Sequence, residues 1–171
     1  LLLPQMANAC YDLWYFFQES SIYRVETKKS IESKKLLNLR EWQSMTSEDI
    51  PLDDIEKVVY TMSLEEYESF YSLKSYTGDN MFAQWIKQKD KEIMDFILLA
   101  KRNEFIRFRY NSLWYYPTMK VGGPTTLEDI IDTSLNVTDE RLRTRYMLQA
   151  MRAMFTLNRY DECLKLWHEE F

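Results

Sequence analysis

Residues 138–171 read TDERLRTRYMLQAMRAMFTLNRYDECLKLWHEEF, and this stretch predicts two helices joined by a short turn. Thr138 is suited to cap the first helix, and the acids at 139 and 140 favour its positive N-terminal end. That helix should run to about Leu157. Its apolar residues form two faces, which predict two packing partners. One face holds Leu142, Tyr146, Ala150, Ala153 and Leu157, and the neighbouring face holds Met147, Met151 and Met154.

The turn of this hairpin is expected at Asn158, because asparagine tolerates the left-handed backbone conformation that often ends a helix. A second helix follows, and its apolar residues recur at helical spacing. They predict one stripe, made of Tyr160, Cys163, Leu164, Trp167 and Phe171. The pattern therefore predicts a helical hairpin over residues 138–171.

The rest of the chain is also predicted to be helical. Only three Gly and four Pro occur in 171 residues, and all-β proteins need more residues of these types for their turns. Pro51 suits the first turn of a helix. Two pairs have the spacing of capping boxes, namely Ser63 with Glu66 and Thr125 with Glu128. A long helix is expected from about Asp90 to Tyr110. Residues 27–35 are polar and indicate a loop or a helix start, with a short helix from about Leu36 to Met45. The expected class is all-α.

Residues 10–171 are expected to form a single helical domain, with a candidate sub-boundary at 117–125, where Gly122, Gly123 and Pro124 interrupt the helices. Residues 1–9 are apolar and end in Ala7-Asn8-Ala9, which reads like the end of a signal segment with small residues at its cleavage site. This pattern predicts export to the periplasm or cell envelope. Lipidation of Cys10, and a first turn that simply packs in the core, are the alternatives.

The C-terminal hairpin resembles the tetratricopeptide repeat, a 34-residue helix–turn–helix unit. Small Ala150 stands where the first helix of that repeat needs close approach, and Met147 and Met151 replace its tryptophan and glycine. Asn158 stands at the inter-helix glycine, and the next family positions are occupied by Tyr160, Cys163 and Trp167. The resemblance implies stacked antiparallel helical hairpins, as in a fragment of an α-solenoid.

The whole chain also resembles the N-terminal part of large exported helical-repeat proteins of Bacteroidetes. The residues behind this second resemblance are the Ala-Asn-Ala-Cys start, the aromatic block at 14–17, and Arg143-Thr144-Arg145-Tyr146 leading to Arg152. The resemblance implies an envelope location and further repeats.

Residues that carry catalytic chemistry are scarce. The only histidine is His168, and the adjacent carboxylates at 53–54, 65–66 and 169–170 point about 100° apart on a helix, so capping explains the first two pairs better than hydrolysis does. The two cysteines, Cys10 and Cys163, lack the spacing of a zinc site. No metal, no cofactor and no enzyme activity are therefore expected. Interleaved charges with a net charge of −5 argue against nucleic acid as a partner, and no apolar run is long enough to span a membrane.

Two groups of residues remain as candidate binding sites. A row of arginines is expected near one face of the first hairpin helix, where guanidinium groups could bind carboxylates or phosphates; its members are Arg141, Arg145, Arg152 and Arg159. An aromatic loop, Trp114-Tyr115-Tyr116, could stack on a sugar ring or contact a side chain of a protein partner. The sequence thus predicts a non-catalytic helical scaffold that binds protein partners, with an envelope glycan-binding protein as the alternative. A carboxylate hydrolase is a third and weaker hypothesis.

Overall fold

The computed structural model describes residues 28–113 and 125–171, and most of these residues lie in helices. Eight α-helices occur in the two ranges: α1 (Lys28–Met45), α2 (Leu52–Glu56), α3 (Leu64–Ser72), α4 (Met81–Lys89), α5 (Lys91–Leu113), α6 (Leu127–Leu135), α7 (Glu140–Thr156) and α8 (Tyr160–Glu170). A π-helical turn, Lys57–Thr61, continues directly from α2. Because these ranges contain no β-strand, the all-α prediction is confirmed.

The described residues divide into two compact units, one ending at Leu98 and the other extending from Leu99 to Phe171. The division falls inside α5. The candidate boundary at 117–125 lies, apart from its last residue, outside the described residues, and the arrangement of 10–171 as one domain stays a prediction. The candidate signal segment at 1–9, Cys10 and the aromatic residues that follow them also lie outside the described residues.

A buried aromatic cluster forms the core of the first unit. Trp42 of α1 is only 1% exposed, and its ring centroid lies 6.5 Å from that of Phe82 and 5.7 Å from that of Phe96. Tyr67 of α3 is fully buried, and its hydroxyl donates a hydrogen bond to the carbonyl of Met94 at 3.1 Å. Burial raises the pKa of Tyr67 far above its ordinary value of 10.0, so the phenol stays a neutral donor.

Helix α1 is longer than the sequence suggested, because it begins at Lys28 rather than near Leu36. Two polar side chains of this helix, Lys35 and Asn38, contact α2 and the π-helical turn that follows it. Lys35 Nζ lies 2.5 Å from Glu56 Oε1, and Asn38 donates a hydrogen bond to the hydroxyl of Tyr60. The helix-start interpretation of residues 27–35 therefore holds for the described part of that stretch.

Side-chain caps define the starts of several helices. The capping box predicted at Ser63 is confirmed: Ser63 Oγ accepts from the Glu66 amide at 3.2 Å, and Glu66 Oε2 accepts from the Ser63 amide at 2.7 Å. The box predicted at Thr125 is wrong by one residue, since Thr126 caps α6 and exchanges hydrogen bonds with Asp129. This register buries the apolar side of α6, namely Leu127, Ile130 and Ile131.

Helix α7 packs against both α6 and α8 in the second unit. Its cap is Asp139 rather than the predicted Thr138, because the Asp139 carboxylate accepts from the Arg141 amide at 2.9 Å. The two predicted apolar faces are buried, and only Leu157, just beyond the helix, is half-exposed. The buried members are Leu142, Tyr146, Met147, Ala150, Met151, Ala153 and Met154. The two predicted faces of this helix thus have packing partners in α6 and α8, and α5 is a third neighbour.

Candidate functional site

The turn between α7 and α8 reverses the chain at Asn158, the only residue of the described ranges, glycines included, with a positive φ, 61°. The Arg159 amide donates to the carbonyl of Met154 at 2.9 Å, and the Asn158 amide donates to the carbonyl of Phe155 at 3.1 Å. These two bonds form a Schellman motif, which satisfies carbonyl groups at the end of a helix. The predicted left-handed role of Asn158 is confirmed.

Contacts at both ends show that α7 and α8 run antiparallel. Near the turn, the rings of Phe155 and Tyr160 meet edge to face with centroids 5.0 Å apart. At the far end, Arg143 binds Glu170 through two bonds, Nε to Oε2 at 2.9 Å and Nη2 to Oε1 at 2.6 Å. The guanidinium of Arg143 lowers the pKa of the Glu170 carboxyl below its ordinary value. The sequence pattern does not indicate this pair, because 27 positions separate the two residues.

The apolar residues of α8 point in two directions rather than forming one stripe. Cys163 and Leu166 are buried against α7, and the thiol of Cys163 lies 3.7 Å from the carbonyl of Met151. Leu164, which the sequence placed in the same stripe as Cys163, is 50% exposed. The single-stripe prediction is wrong here because Cys163 and Leu164 are adjacent, and adjacent helical residues point about 100° apart.

Exposed or half-buried aromatic and apolar residues recur along α8 and just beyond its end, at positions i, i+4, i+7 and i+11. We call this set the α8 stripe; it consists of Tyr160, Leu164, Trp167 and Phe171. Tyr160 is 39% exposed and Phe171 is 50% exposed. Trp167 is half-buried and stacks on Phe171, with parallel rings whose centroids lie 4.6 Å apart. Large apolar side chains that are grouped on a surface commonly mark an interaction site.

The predicted arginine row is largely engaged within the protein. Arg141 Nη2 lies 2.5 Å from Asp139 Oδ2, and this arginine lowers the pKa of the Asp139 carboxyl. Arg159 binds Glu162, which raises the pKa of the guanidinium further. Arg159 lies in the turn beyond α7, at the position just before α8, so it does not belong to the face on which the sequence placed it. Arg145 is half-buried and has an interaction of its own.

Arg152 differs from the other three arginines of the row. Its side chain is half-buried, its Nε atom is buried without a hydrogen-bond acceptor, and its guanidinium forms no ion pair with the described residues. A buried donor without an acceptor costs about 1–3 kcal/mol. Arg152 shares a face of α7 with Arg145, Leu148 and Phe155, since positions separated by three, four and three residues lie on one side of a helix. Leu148 and Phe155 are half-buried as well.

A polar layer lies between α5 and α7, beside this face. Asn103 is fully buried, and its Nδ2 donates to the backbone and side-chain oxygens of Gln149 at 3.0 and 2.9 Å. Arg107 is 7% exposed, and its Nε donates to Thr156 Oγ1 at 3.1 Å. Sequence reasoning missed this layer. The only available signal was a set of polar residues on the otherwise apolar α5, and such residues are usually assigned to solvent.

The remaining candidates show no assembled chemistry. His168 is exposed, and the carboxylates predicted to cap α2 and α3 lie in the first turns of those helices. Within residues 28–113 and 125–171, no group of three or more His, Cys, Asp and Glu side chains could hold a metal ion. The aromatic loop, Trp114-Tyr115-Tyr116, lies outside the described residues. Of the described helices, none is both long and apolar enough to cross a membrane.

No protein-family model, no curated protein and no solved structure matches the chain.

Proposed function

We propose that this protein is a non-catalytic helical scaffold that binds a protein partner through its C-terminal hairpin. The observation that carries the proposal is the α8 stripe. Leu164 and Phe171 are each half exposed, although Cys163 and Leu166 on another side of the same helix are buried. A helix with apolar residues on two sides is typical of stacked helical architectures, in which each helix contacts two neighbours.

The register of the hairpin agrees with the proposed relationship to tetratricopeptide repeats. Ala150 and Cys163, at the small-residue positions of the two helices, are 0% and 6% exposed. Asn158 adopts the left-handed conformation that glycine provides at the same place in the repeat. Tyr160 follows the turn as the aromatic residue and packs on Phe155. Repeat hairpins present surface grooves to their partners, which supports a binding role.

The cell envelope is the proposed location, on the basis of the apolar start and the Ala7-Asn8-Ala9 sequence. Secretion and cleavage can be tested by N-terminal sequencing of the protein recovered from cell fractions. Recovery in the envelope fraction with a new N-terminus near Cys10 supports this location, whereas an intact apolar start in the cytosolic fraction contradicts it.

Site-specific photo-crosslinking tests the binding function. A photoreactive amino acid replaces Leu164 in the α8 stripe, and a matched variant carries it at Leu37, which is 54% exposed on α1. Irradiation in an envelope extract should give a discrete adduct at 164 and none at 37. The 164 adduct should disappear when unlabelled wild-type protein is added in excess. If position 164 gives no adduct, or if both positions give the same adducts, the α8 stripe is not a binding face.

A further inference from the structure

The α8 stripe and the exposed face of α7 meet at one point, the contact between Phe155 and Tyr160. From Phe155, the face of α7 leads back to Arg152 and Leu148. From Tyr160, the α8 stripe leads on to Leu164 and Phe171. Because Phe155 contacts Tyr160 and the two helices run back from this contact side by side, we infer that both series lie along the same side of the hairpin. This side combines a row of apolar side chains with an adjacent cationic group.

The chemistry of this surface indicates which kind of segment would complete it. Arg152 is half-buried, and its Nε atom is buried without a hydrogen-bond acceptor. Guanidinium groups bind carboxylates most effectively, often through two parallel hydrogen bonds. In addition, α7 contains four arginines and a single acid, Glu140. The hairpin is therefore locally basic on α7, although the chain as a whole is acidic.

The shape of the surface indicates the secondary structure of the ligand. Helix α8 contains 11 residues, Tyr160–Glu170, which corresponds to a length of about 16 Å. The α8 stripe runs along this whole length and ends at Phe171. Apolar positions at i, i+4, i+7 and i+11 match the spacing by which a second amphipathic helix would pack alongside. A short helix with apolar residues on one side and carboxylates at its edge would satisfy both the α8 stripe and Arg152.

We propose that the partner segment is an acidic amphipathic helix, docked with its apolar side on Tyr160, Leu164 and Phe171 and with a carboxylate on Arg152. This inference rests on the proposed protein-binding function and specifies its ligand. A second copy of the chain is less suited, because the net charge of −5 opposes self-association.

Synthetic peptides of about 20 residues, long enough to form helices in isolation, provide the test. Three peptides share one leucine pattern and carry Glu, Gln or Lys at the flanking positions. Their affinities for the full chain are measured by fluorescence anisotropy at low and at physiological salt. We expect the Glu peptide to bind at least about tenfold more tightly than the Lys peptide, a difference of about 1.4 kcal/mol.

Variants of the full chain assign this preference to the hairpin. Leu164→Glu should abolish binding, whereas the control Leu37→Glu should leave it unchanged. Arg152→Gln should remove most of the preference for the Glu peptide, and Arg152→Lys should retain part of it. Arg141→Gln is the matched control, because Asp139 already engages Arg141. Circular dichroism confirms that each variant is folded before its affinity is interpreted.

Three outcomes would overturn the inference. The first is a Lys peptide that binds as tightly as the Glu peptide, and the second is an Arg152→Gln variant with an unchanged preference. The third is dimerisation in sedimentation experiments that Leu164→Glu abolishes, since the occupant would then be another copy. If position 164 gives a specific crosslink and either of the first two results is found, the proposed binding function is retained and only the acidic nature of the ligand is rejected.

Discussion

Replacing Asn158 with alanine should destabilise the C-terminal unit measurably. Asn158 adopts a φ of 61° and accepts a hydrogen bond from the Tyr160 hydroxyl at 2.6 Å. Left-handed backbone costs an L-residue about 1–2 kcal/mol, and asparagine is one of the few that tolerate it. An exposed hydrogen bond adds at most about 1 kcal/mol. Asn158→Ala should therefore lower the free energy of unfolding by about 1–2 kcal/mol.

Two further variants separate backbone strain from loss of the side chain. Asn158→Gly should stay within about 1 kcal/mol of the wild type, because glycine adopts positive φ freely but increases the entropy of the unfolded chain. Asn136→Ala is the matched control. Asn136 also ends a helix and donates to the Asp132 carbonyl at 2.8 Å, but its φ is −93°. Its replacement should cost no more than about 0.5–1 kcal/mol.

Urea unfolding followed by circular dichroism at the helical band measures these differences. In thermal unfolding, a loss of 1–2 kcal/mol corresponds to a decrease in Tm of about 2–8 °C for a chain of this size. If Asn158→Ala and Asn158→Gly are equally stable, backbone strain at the turn is not the cause. If Asn136→Ala is as damaging as Asn158→Ala, a general loss of asparagine caps explains the result better.

Three other predictions concern the core, a helix end and acid stability. Trp42→Ala should lower the free energy of unfolding by about 3–5 kcal/mol, because it leaves a cavity at a fully buried site. A decrease below about 1 kcal/mol in urea unfolding would contradict this packing. Lys87→Met should lower the free energy of unfolding by about 1–3 kcal/mol, since the Lys87 ammonium donates to two carbonyls at the end of α3 at 2.8 and 3.2 Å. Lys89 is exposed, and the control variant Lys89→Met should leave the free energy of unfolding unchanged. The pKa of Asp139 is held below its ordinary value of 3.8, mainly by its hydrogen bond from Arg141. Its stabilising effect is therefore complete above about pH 4 and is lost as the pH falls through the lowered pKa. Asp139→Asn keeps a side chain that can cap the helix, and this variant should show a smaller decrease in Tm than the wild type between pH 5 and about pH 2. If both proteins lose the same amount of Tm over this range, the Asp139 carboxylate does not contribute to stability in this way.

The local features of the fold were predictable because their causes lie within a few residues. The capping box at Ser63 and the turn at Asn158 each depend on side chains next to the backbone they stabilise. The starts of α6 and α7 were each misplaced by one residue. In both cases two capping residues are adjacent in the sequence, and the burial of the helix that follows decides between them.

The features that the sequence could not predict depend on contacts between distant positions. Arg143 and Glu170 are joined across the hairpin, and Asn103 reaches Gln149 across 46 positions. Either polar pair could equally have faced solvent. The arginine row showed the same limitation, because its spacing indicated a shared face but not which members already have carboxylate partners. Only the structure distinguishes Arg152 from Arg141.

Alkylation of the buried thiol of Cys163 can report the separation of α8 from α7. The Cys163 side chain is 6% exposed and lies against the Met151 carbonyl, so an alkylating reagent can reach the sulfur only when α8 separates from α7. In a Cys10→Ser background, the rate of alkylation would then measure how often this separation occurs in the native state. A ligand that clamps the two helices together should slow that rate, even if it never touches the sulfur.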